Sequence, residues 1–561
     1  MYILGINAFY HDTSACLMKD GKVLSLVEEE RFTRQKHASH TFPHNAIKFC
    51  LQQAGIKLQD IDHIAYYIDQ NLFIRKPWRF QPYFNKLIWT PWKFFGALYL
   101  FKQNDKEVLK LGEEAKAKVH FIEHHLTHAA SAFYGSDYKK ANILTLDGRG
   151  ELITSYFGYG DGSELHKIGE VPLPHSVGVT YTAITDFLNF RPNDGEGKVM
   201  GLAPYGKDKF RKEFDKIIWP TKDGFRTNPK YIWGHIEEWG RGKARWYTKD
   251  TVKLLGKPRT NEDPINNHYE HIAASMQKKT EDIGLHMAKL LYEKTGYKNI
   301  VLAGGVALNA KMNGLIAQQD FIDNIYIQPA ATDSGAAMGA AMVVYNKLTG
   351  KRPEPIEHVY LGPESSDEEI KKVLDKCKVK YKKVKDIAGE TAELLAKGKI
   401  FGWFQGRMEV GPRALGCRSI LVDPSDREMV HKVNYYVKNR ELWRPFALSM
   451  LYEDKDKYLV HGFKSPFMIM IDDVPKERQK EVIAGVHVDG TTRPQTLEKK
   501  HNPLYHKLIS EFGKETGTPV LLNTSFNLAG EPIVMKPEEA IKDFFGSGMD
   551  YLAIGNYLVF K

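Results

Sequence analysis

Cysteine is scarce in this chain: four among 561 residues, at positions 16, 50, 377 and 417, far apart and with no CxxC pair. Such spacing offers no disulfide framework and places the protein in a reducing, cytoplasmic compartment. Long apolar runs are missing too. No uncharged stretch approaches the roughly 20 residues of a membrane span, and MYILGINAFYHD has neither the basic leader nor the cleavable apolar core of a secretory signal. A dense basic strip with interleaved aromatics, the mark of a nucleic-acid groove, is absent from the main body, so no nucleic-acid partner is expected. The net charge of +10 is modest over this length. It suits small anionic substrates such as phosphates as well as it suits RNA.

What is present is the composition of an ordinary globular enzyme, 42% hydrophobic and 26% charged, long enough for more than one domain. An internal duplication is visible. YILGIN reads as a strand, His11-Asp12-Thr13-Ser14 as a small-polar loop, and ACLMKDGKVLSLV as a hairpin turning at Asp20-Gly21. Residues 143–171 repeat the plan with ILTLD, Gly148-Arg149-Gly150 and a second hairpin. A third element, NIVLAGGVALNAKMNGLI, reads as a buried strand, Gly304-Gly305 and a helix, whose N-terminus favours anions. TGKRPEPIEH marks the best boundary, since Pro353 and Pro355 interrupt a helix. The expected division is 1–350, a linker at 351–358 and a second domain at 359–561. Insertions are expected near 70–115 and at 206–270, the latter read as a lid or surface addition. Residues 71–103 combine eleven aromatics, Phe73, Trp78, Phe80, Trp89, Trp92, Phe94 and Phe95 among them, with six Lys/Arg and no acid. They suit a peripheral membrane contact, a large or amphipathic substrate, or docking on the body or on a second copy in a homodimer.

The chemistry concentrates in a spaced set of ligand-type residues. His124 and His128 lie four apart, on one face of a helix. Asp147 ends the run NILTLD, and Asp333 opens TDSGAAMGAA. Taken singly, each histidine is an ordinary helix residue and Asp333 an N-cap; together they suit one divalent ion, and mixed imidazole–carboxylate ligation accommodates iron, manganese or zinc. His125 faces another side of the helix and reads as a supporting or structural residue. His11 has the imidazole of a general base, and it equally suits a phosphate contact.

At these residues the chain resembles a known family. HHLTHAASAFYGS, LTLDG, EGKVMGLAPYG, AGGVALN and DSGAAMGAA, with GRMEVGPRALGCRSIL, VNYYVKNRELWRPFALSM, VDGTTRPQT and LLNTSFNLAGEPIV, are similar to carbamoyltransferases of the nodulation and cephamycin type. The resemblance implies an α/β architecture: a duplicated ATPase fold of the actin/Hsp70/sugar-kinase kind, then an α/β domain resembling the threonylcarbamoyl-adenylate synthase. It implies transfer of a carbamoyl group from carbamoyl phosphate, through carbamoyl-adenylate made with ATP (and Mg), to a hydroxyl of a small-molecule acceptor. His124, His128, Asp147 and Asp333 match the family's metal ligands, with Fe(II) favoured. Lys198, Gly304, Gly305 and Asn309 match nucleotide contacts. Arg413, Lys438, Arg444, Arg493 and Ser525 match positions that bind carbamoyl phosphate and ATP, and Arg407 and Arg418 flank the same turn. Guanidinium forks grip phosphate bidentately. The competing readings are a tRNA threonylcarbamoyl-type transferase and a non-catalytic, nucleotide-gated binding protein.

Overall fold

The computed structural model describes residues 1–72, 104–232 and 245–561, so most of the aromatic-basic stretch 71–103 lies outside the described residues. The chain divides into two compact units. One comprises Met1–Leu26 and Ser39–Ile356, the other Val27–Ala38 and Glu357–Lys561.

The first unit carries the duplication. Its first sheet contains β1 (Tyr2–Asn7), β2 (Ser14–Lys19), β3 (Lys22–Glu28), β4 (His63–Tyr66) and β5 (Lys118–Phe121), in the order β3-β2-β1-β4-β5. The β2–β3 connection is the Asp20-Gly21 turn, with both residues at positive φ (49° and 91°), as a type I′ hairpin requires. The second sheet contains β6 (Lys140–Leu146), β7 (Ile153–Asp161), β8 (Glu164–Pro172) and two later strands, Asn299–Ala303 and Asn324–Ile327. Its order is β8-β7-β6, then Asn299–Ala303, then Asn324–Ile327. In both sheets the first strand pairs antiparallel with the second and parallel with the fourth, and the fourth pairs parallel with the fifth. The two halves therefore share one topology, the duplicated α/β plan that the sequence implies.

Two helices that pack against each other cover these sheets, one on the second and one on the first. His124–Phe133 follows β5, and Asp333–Thr349 follows the last strand of the second sheet. Small residues bring them close. A Cβ on Gly339 would lie 1.9 Å from the Thr127 carbonyl oxygen, and one on Gly5 in β1 would lie 1.9 Å from that of Ala337. The segment 206–270 is better integrated than a lid: Phe214, Ile218 and Phe225 are fully buried. Its hairpin packs on the long helix Asn267–Thr295.

The second unit is built on an eight-stranded mixed sheet. Its central strands are Phe401–Phe404, Arg418–Val422, Val520–Ser525 and Tyr551–Ile554. Period-2 alternation sends Phe401, Trp403 and Leu421 into one core and Phe404, Ile420 and Val422 into another, so helices cover both faces. Each such fully buried side chain contributes about 1.5–3 kcal/mol. Residues 27–38 belong to this unit because arginines tie them there. Arg31 donates to the Gly411 carbonyl at 2.9 Å, and Arg34 donates to the carbonyls of Pro532 and Ile533 at 2.7 Å each.

Candidate metal centre and anion pocket

Four side chains from separate elements meet in the first unit. His124 and His128 come from one helix face, Asp147 stands one residue beyond β6, and Asp333 opens its helix. The two Nε2 atoms are 3.0 Å apart. His124 Nε2 lies 3.4 Å from Asp147 Oδ2 and 3.6 Å from Asp333 Oδ1, and His128 Nε2 lies 3.5 Å from Asp333 Oδ1. One ligand atom from each of the four falls within 4.8 Å of every other. Donors about 2.0–2.2 Å from a shared ion stand roughly 3–3.5 Å from one another, so these separations match the edges of a coordination polyhedron. Most are too long for good hydrogen bonds. Both histidines are buried, and neither Nδ1 has a hydrogen-bond partner among the described residues.

The charges are mutually tuned. Burial pushes the His124 ring towards neutrality, but Asp333 and Asp147 outweigh it and raise its pKa to about 9. Burial would raise Asp147, yet its bond to His124 and the nearby His128 hold that carboxyl well below the usual carboxylate range. Such a pair exchanges protons for a cation readily. The Gly305 N–H donates to Asp147 Oδ1 at 2.8 Å and fixes the carboxylate. His125 is buried, its Nδ1 2.6 Å from the Thr145 hydroxyl oxygen; burial and the two neighbouring imidazoles push its pKa well down.

Two residues that sequence reasoning missed hold the ligand helix. Glu151 accepts from the His124 backbone N–H at 3.0 and 3.2 Å and from that of Asp69 at 2.8 Å. It thus caps the helix N-terminus, where Glu123 makes no cap bond. At the other end Arg352 donates to the carbonyls of Phe133 (2.6 Å) and Ser136 (2.9 Å). The only sequence signal for Glu151 is an acid directly after the Gly148-Arg149-Gly150 loop.

His11 sits between two acceptors: Asp12 Oδ2 is 3.0 Å from its Nδ1 and the Asn193 carbonyl oxygen 3.2 Å from its Nε2. Both nitrogens must then carry a proton. Burial opposes that state, but Asp12 prevails and raises the ring to about 10. Gly304 serves the protein's own backbone, for a Cβ there would lie 2.3 Å from the Leu146 carbonyl oxygen. Asn309 caps the Ala310–Ala317 helix and exchanges two 2.9 Å hydrogen bonds with Gln277. Gln277, Lys278, Glu281 and Lys311 line a cavity of about 190 Å³. Lys198 lies over the Phe190 ring, 5.6 Å from its centroid.

In the second unit Arg413, Arg444, Arg493 and Lys438 form one cationic group, joined by Arg440. Burial, then Arg444, lowers Arg413 to about 10 and Arg440 to about 9. Burial and the neighbouring arginines push Arg493 well below its ordinary value. The Nε atoms of Arg413 and Arg493 are buried with no hydrogen-bond partner among the described residues. Arg418 differs. Fully buried, it donates to the carbonyls of Gln405 (2.8 Å) and Gly406 (3.1 Å) and stacks 3.7 Å from the Phe404 ring centroid. Arg407 similarly serves the Leu361 and Gly362 carbonyls. These two support the turn, while Arg413 and Arg493 hold unspent donors.

The sequence matches the carbamoyltransferase N-terminus model over residues 2–342 and the carbamoyltransferase C-terminus model over residues 392–561. An uncharacterized protein of Synechocystis sp. is 38% identical, over 100% of this chain and 97% of its own length. The nodulation protein NolNO of Sinorhizobium fredii is 35% identical, over 99% of this chain and 80% of its own length. The 3'-hydroxymethylcephem-O-carbamoyltransferase of Amycolatopsis lactamdurans is 31% identical, over 46% of this chain and 48% of its own length. No helix among the described residues is long and apolar enough to cross a membrane.

Proposed function

This chain belongs to the carbamoyltransferase family, and from that premise we propose that it moves a carbamoyl group from carbamoyl phosphate to a small-molecule hydroxyl, using ATP and passing through carbamoyl-adenylate. The observation that carries this reading is the convergence of two imidazoles and two carboxylates on one point. His124, His128, Asp147 and Asp333 would hold a divalent ion, Fe(II) by resemblance, with manganese and zinc chemically acceptable. When bound, such an ion supplies Lewis acidity towards phosphoryl and carbonyl oxygens.

The protein's own groups do the remaining work. Arg413, Arg444 and Arg493 bind the phosphate groups of ATP and carbamoyl phosphate (Mg accompanying the nucleotide), and the unpaired Nε donors of Arg413 and Arg493 offset charge on the departing pyrophosphate. The buried setting keeps water from the activated carbamoyl group, which hydrolyses readily in solution. Glu151 and Arg352 hold the helix that presents the two imidazoles. His11, with both N–H groups engaged by Asp12 and the Asn193 carbonyl, has no vacancy for the acceptor's proton and adds positive charge to its loop beside the substrate phosphates. Lys198, Gly305 and the Gln277–Asn309 pair belong to the nucleotide side of the same unit. The acceptor is a metabolite-sized alcohol, and residues 71–103 are an attractive docking element for it, for an anionic membrane surface or for a second copy.

Mass spectrometry of protein mixed with ATP and carbamoyl phosphate tests the donor half without knowledge of the acceptor. Carbamoyl-adenylate and pyrophosphate are expected from the wild type, with the phosphoryl group of carbamoyl phosphate released to water as orthophosphate. Arg444→Ala is expected to lose both, by 100-fold or more at about the strength of a lost charged contact, with an unchanged melting temperature. Full pyrophosphate release from that variant overturns the assignment.

A further inference from the structure

The net charge is not spread over the chain. Residues 371–385, KKVLDKCKVKYKKVK, hold eight lysines, no arginine and one acid, Asp375. That segment alone carries +7, against +10 for all 561 residues. It runs from the helix Asp367–Cys377 through Lys378 into the strand Tyr381–Lys383, an edge of the eight-stranded sheet in the second unit. Its apolar positions turn inward: Val379 and Tyr381 pack on one core, and Val384 joins the other. All eight lysines are exposed.

The acids beside it are already taken. Asp375 pairs with Lys371 at 2.6 Å, Glu390 with Lys382 at 2.5 Å and Asp386 with Lys507 at 2.7 Å. The side chains of Lys372, Lys376, Lys378, Lys380 and Lys385 have no hydrogen-bond or ion-pair partner among the described residues. Two ordinary uses explain part of the run. Cations at a helix C-terminus suit the dipole, and lysines on an edge strand block pairing with another sheet. Neither accounts for Lys372, more than a turn before the helix end, or for Lys385, beyond the strand. Neither favours Lys378, whose left-handed φ of 54° just past the helix suits glycine. Like charges left unpaired repel one another and destabilise the fold that holds them, so this surface asks for an anionic partner.

We propose that this edge of the second unit is an electrostatic docking surface for a membrane rich in anionic phospholipid. Lysine alone suits that partner. It offers a flexible, strongly hydrated point charge to the phosphodiesters of a fluid plane. Nucleic-acid sites rely instead on arginine forks and open aromatic faces. The one aromatic of the run is closed to stacking on bases: the Tyr381 ring stands perpendicular to that of Tyr557, centroids 5.5 Å apart, and its hydroxyl donates to Asp375. No lysine of this surface belongs to the metal centre or to the arginine group, so the inference stands independently of the proposed reaction.

Flotation of the full chain with lipid vesicles tests it. Binding is expected to vesicles of phosphatidylcholine mixed with phosphatidylglycerol and not to phosphatidylcholine alone, and it should fade as added salt shortens the screening length. The Lys372→Gln/Lys376→Gln/Lys378→Gln/Lys380→Gln/Lys385→Gln protein should bind more weakly by on the order of 100-fold or more, from about fivefold per lysine, with an unchanged melting temperature. A second variant removes the same charge from exposed sites in the first unit, as Lys48→Gln/Lys216→Gln/Lys222→Gln/Lys294→Gln/Lys351→Gln. It should stay within about threefold of the wild type. Undiminished vesicle binding by the first variant, or equal weakening of both, overturns the surface. Failure of the wild type to bind the anionic vesicles overturns it too, and retention of duplex RNA at physiological salt by that same protein would then assign the lysines to nucleic acid.

Discussion

Residues of one type carry opposite roles here according to what already occupies their hydrogen-bonding atoms. Arg418 and Lys438 spend their charge on backbone oxygens, whereas Arg413 and Arg493 keep buried donors unpaired. Only the second condition asks for a ligand, because an uncompensated buried charge is costly. His11 shows the same logic in a titrating group. Its pKa is raised to about 10 by Asp12 despite burial, above the ordinary value near 6.5. A raised folded-state pKa stabilises fully below about pH 6.5, and the contribution fades as pH climbs through about 10. With a third of the side chain exposed, solvent screens part of it. The stability difference between wild type and His11→Gln should therefore be constant below pH 6.5 and shrink steadily towards pH 10. Thermal melts across that range check it, and a difference that grows with pH contradicts the doubly protonated ring.

The ligand set depends at the scale of elements on two helices that touch through glycine. His124–Phe133 brings the imidazoles and Asp333–Thr349 brings one carboxylate, and Gly339 allows the Thr127 carbonyl within the space of a Cβ. Gly339→Ala should force the helices apart, costing about 1–3 kcal/mol as core overpacking does and weakening metal uptake together with stability. Parallel melting and metal-titration measurements on this variant read both. Unaltered values in the two together contradict the coupling of helix spacing to ligand spacing. The Glu151 cap and the Arg352 clamp make the same helix rigid from its ends. Neither was legible in the sequence, because each acts on backbone groups of an element remote in order, and an isolated Glu or Arg has no periodic or motif signature.

At the scale of the whole molecule, the duplication was readable from paired strand–loop–hairpin patterns. Local period and turn chemistry determine such units, as at Asp20-Gly21. The grouping of His124 with His128 was readable from their spacing on a helix. That Asp147 and Asp333 join them depended on tertiary contacts, for which family motifs stood in. Residues 27–38 fall with the second unit through Arg31 and Arg34, a long-range attachment that no linker composition announces. The segment 206–270 read as a surface addition because its apolar residues lack a clean period, yet Phe214, Ile218 and Phe225 are buried; short, irregular elements hide their core positions. The most direct measurement of the account is anaerobic titration of chelator-treated protein with Fe(II), repeated with Mn(II) and Zn(II). One equivalent should bind the wild type and none should bind His124→Ala/His128→Ala with comparable affinity; equal stoichiometry and affinity in both proteins would contradict it.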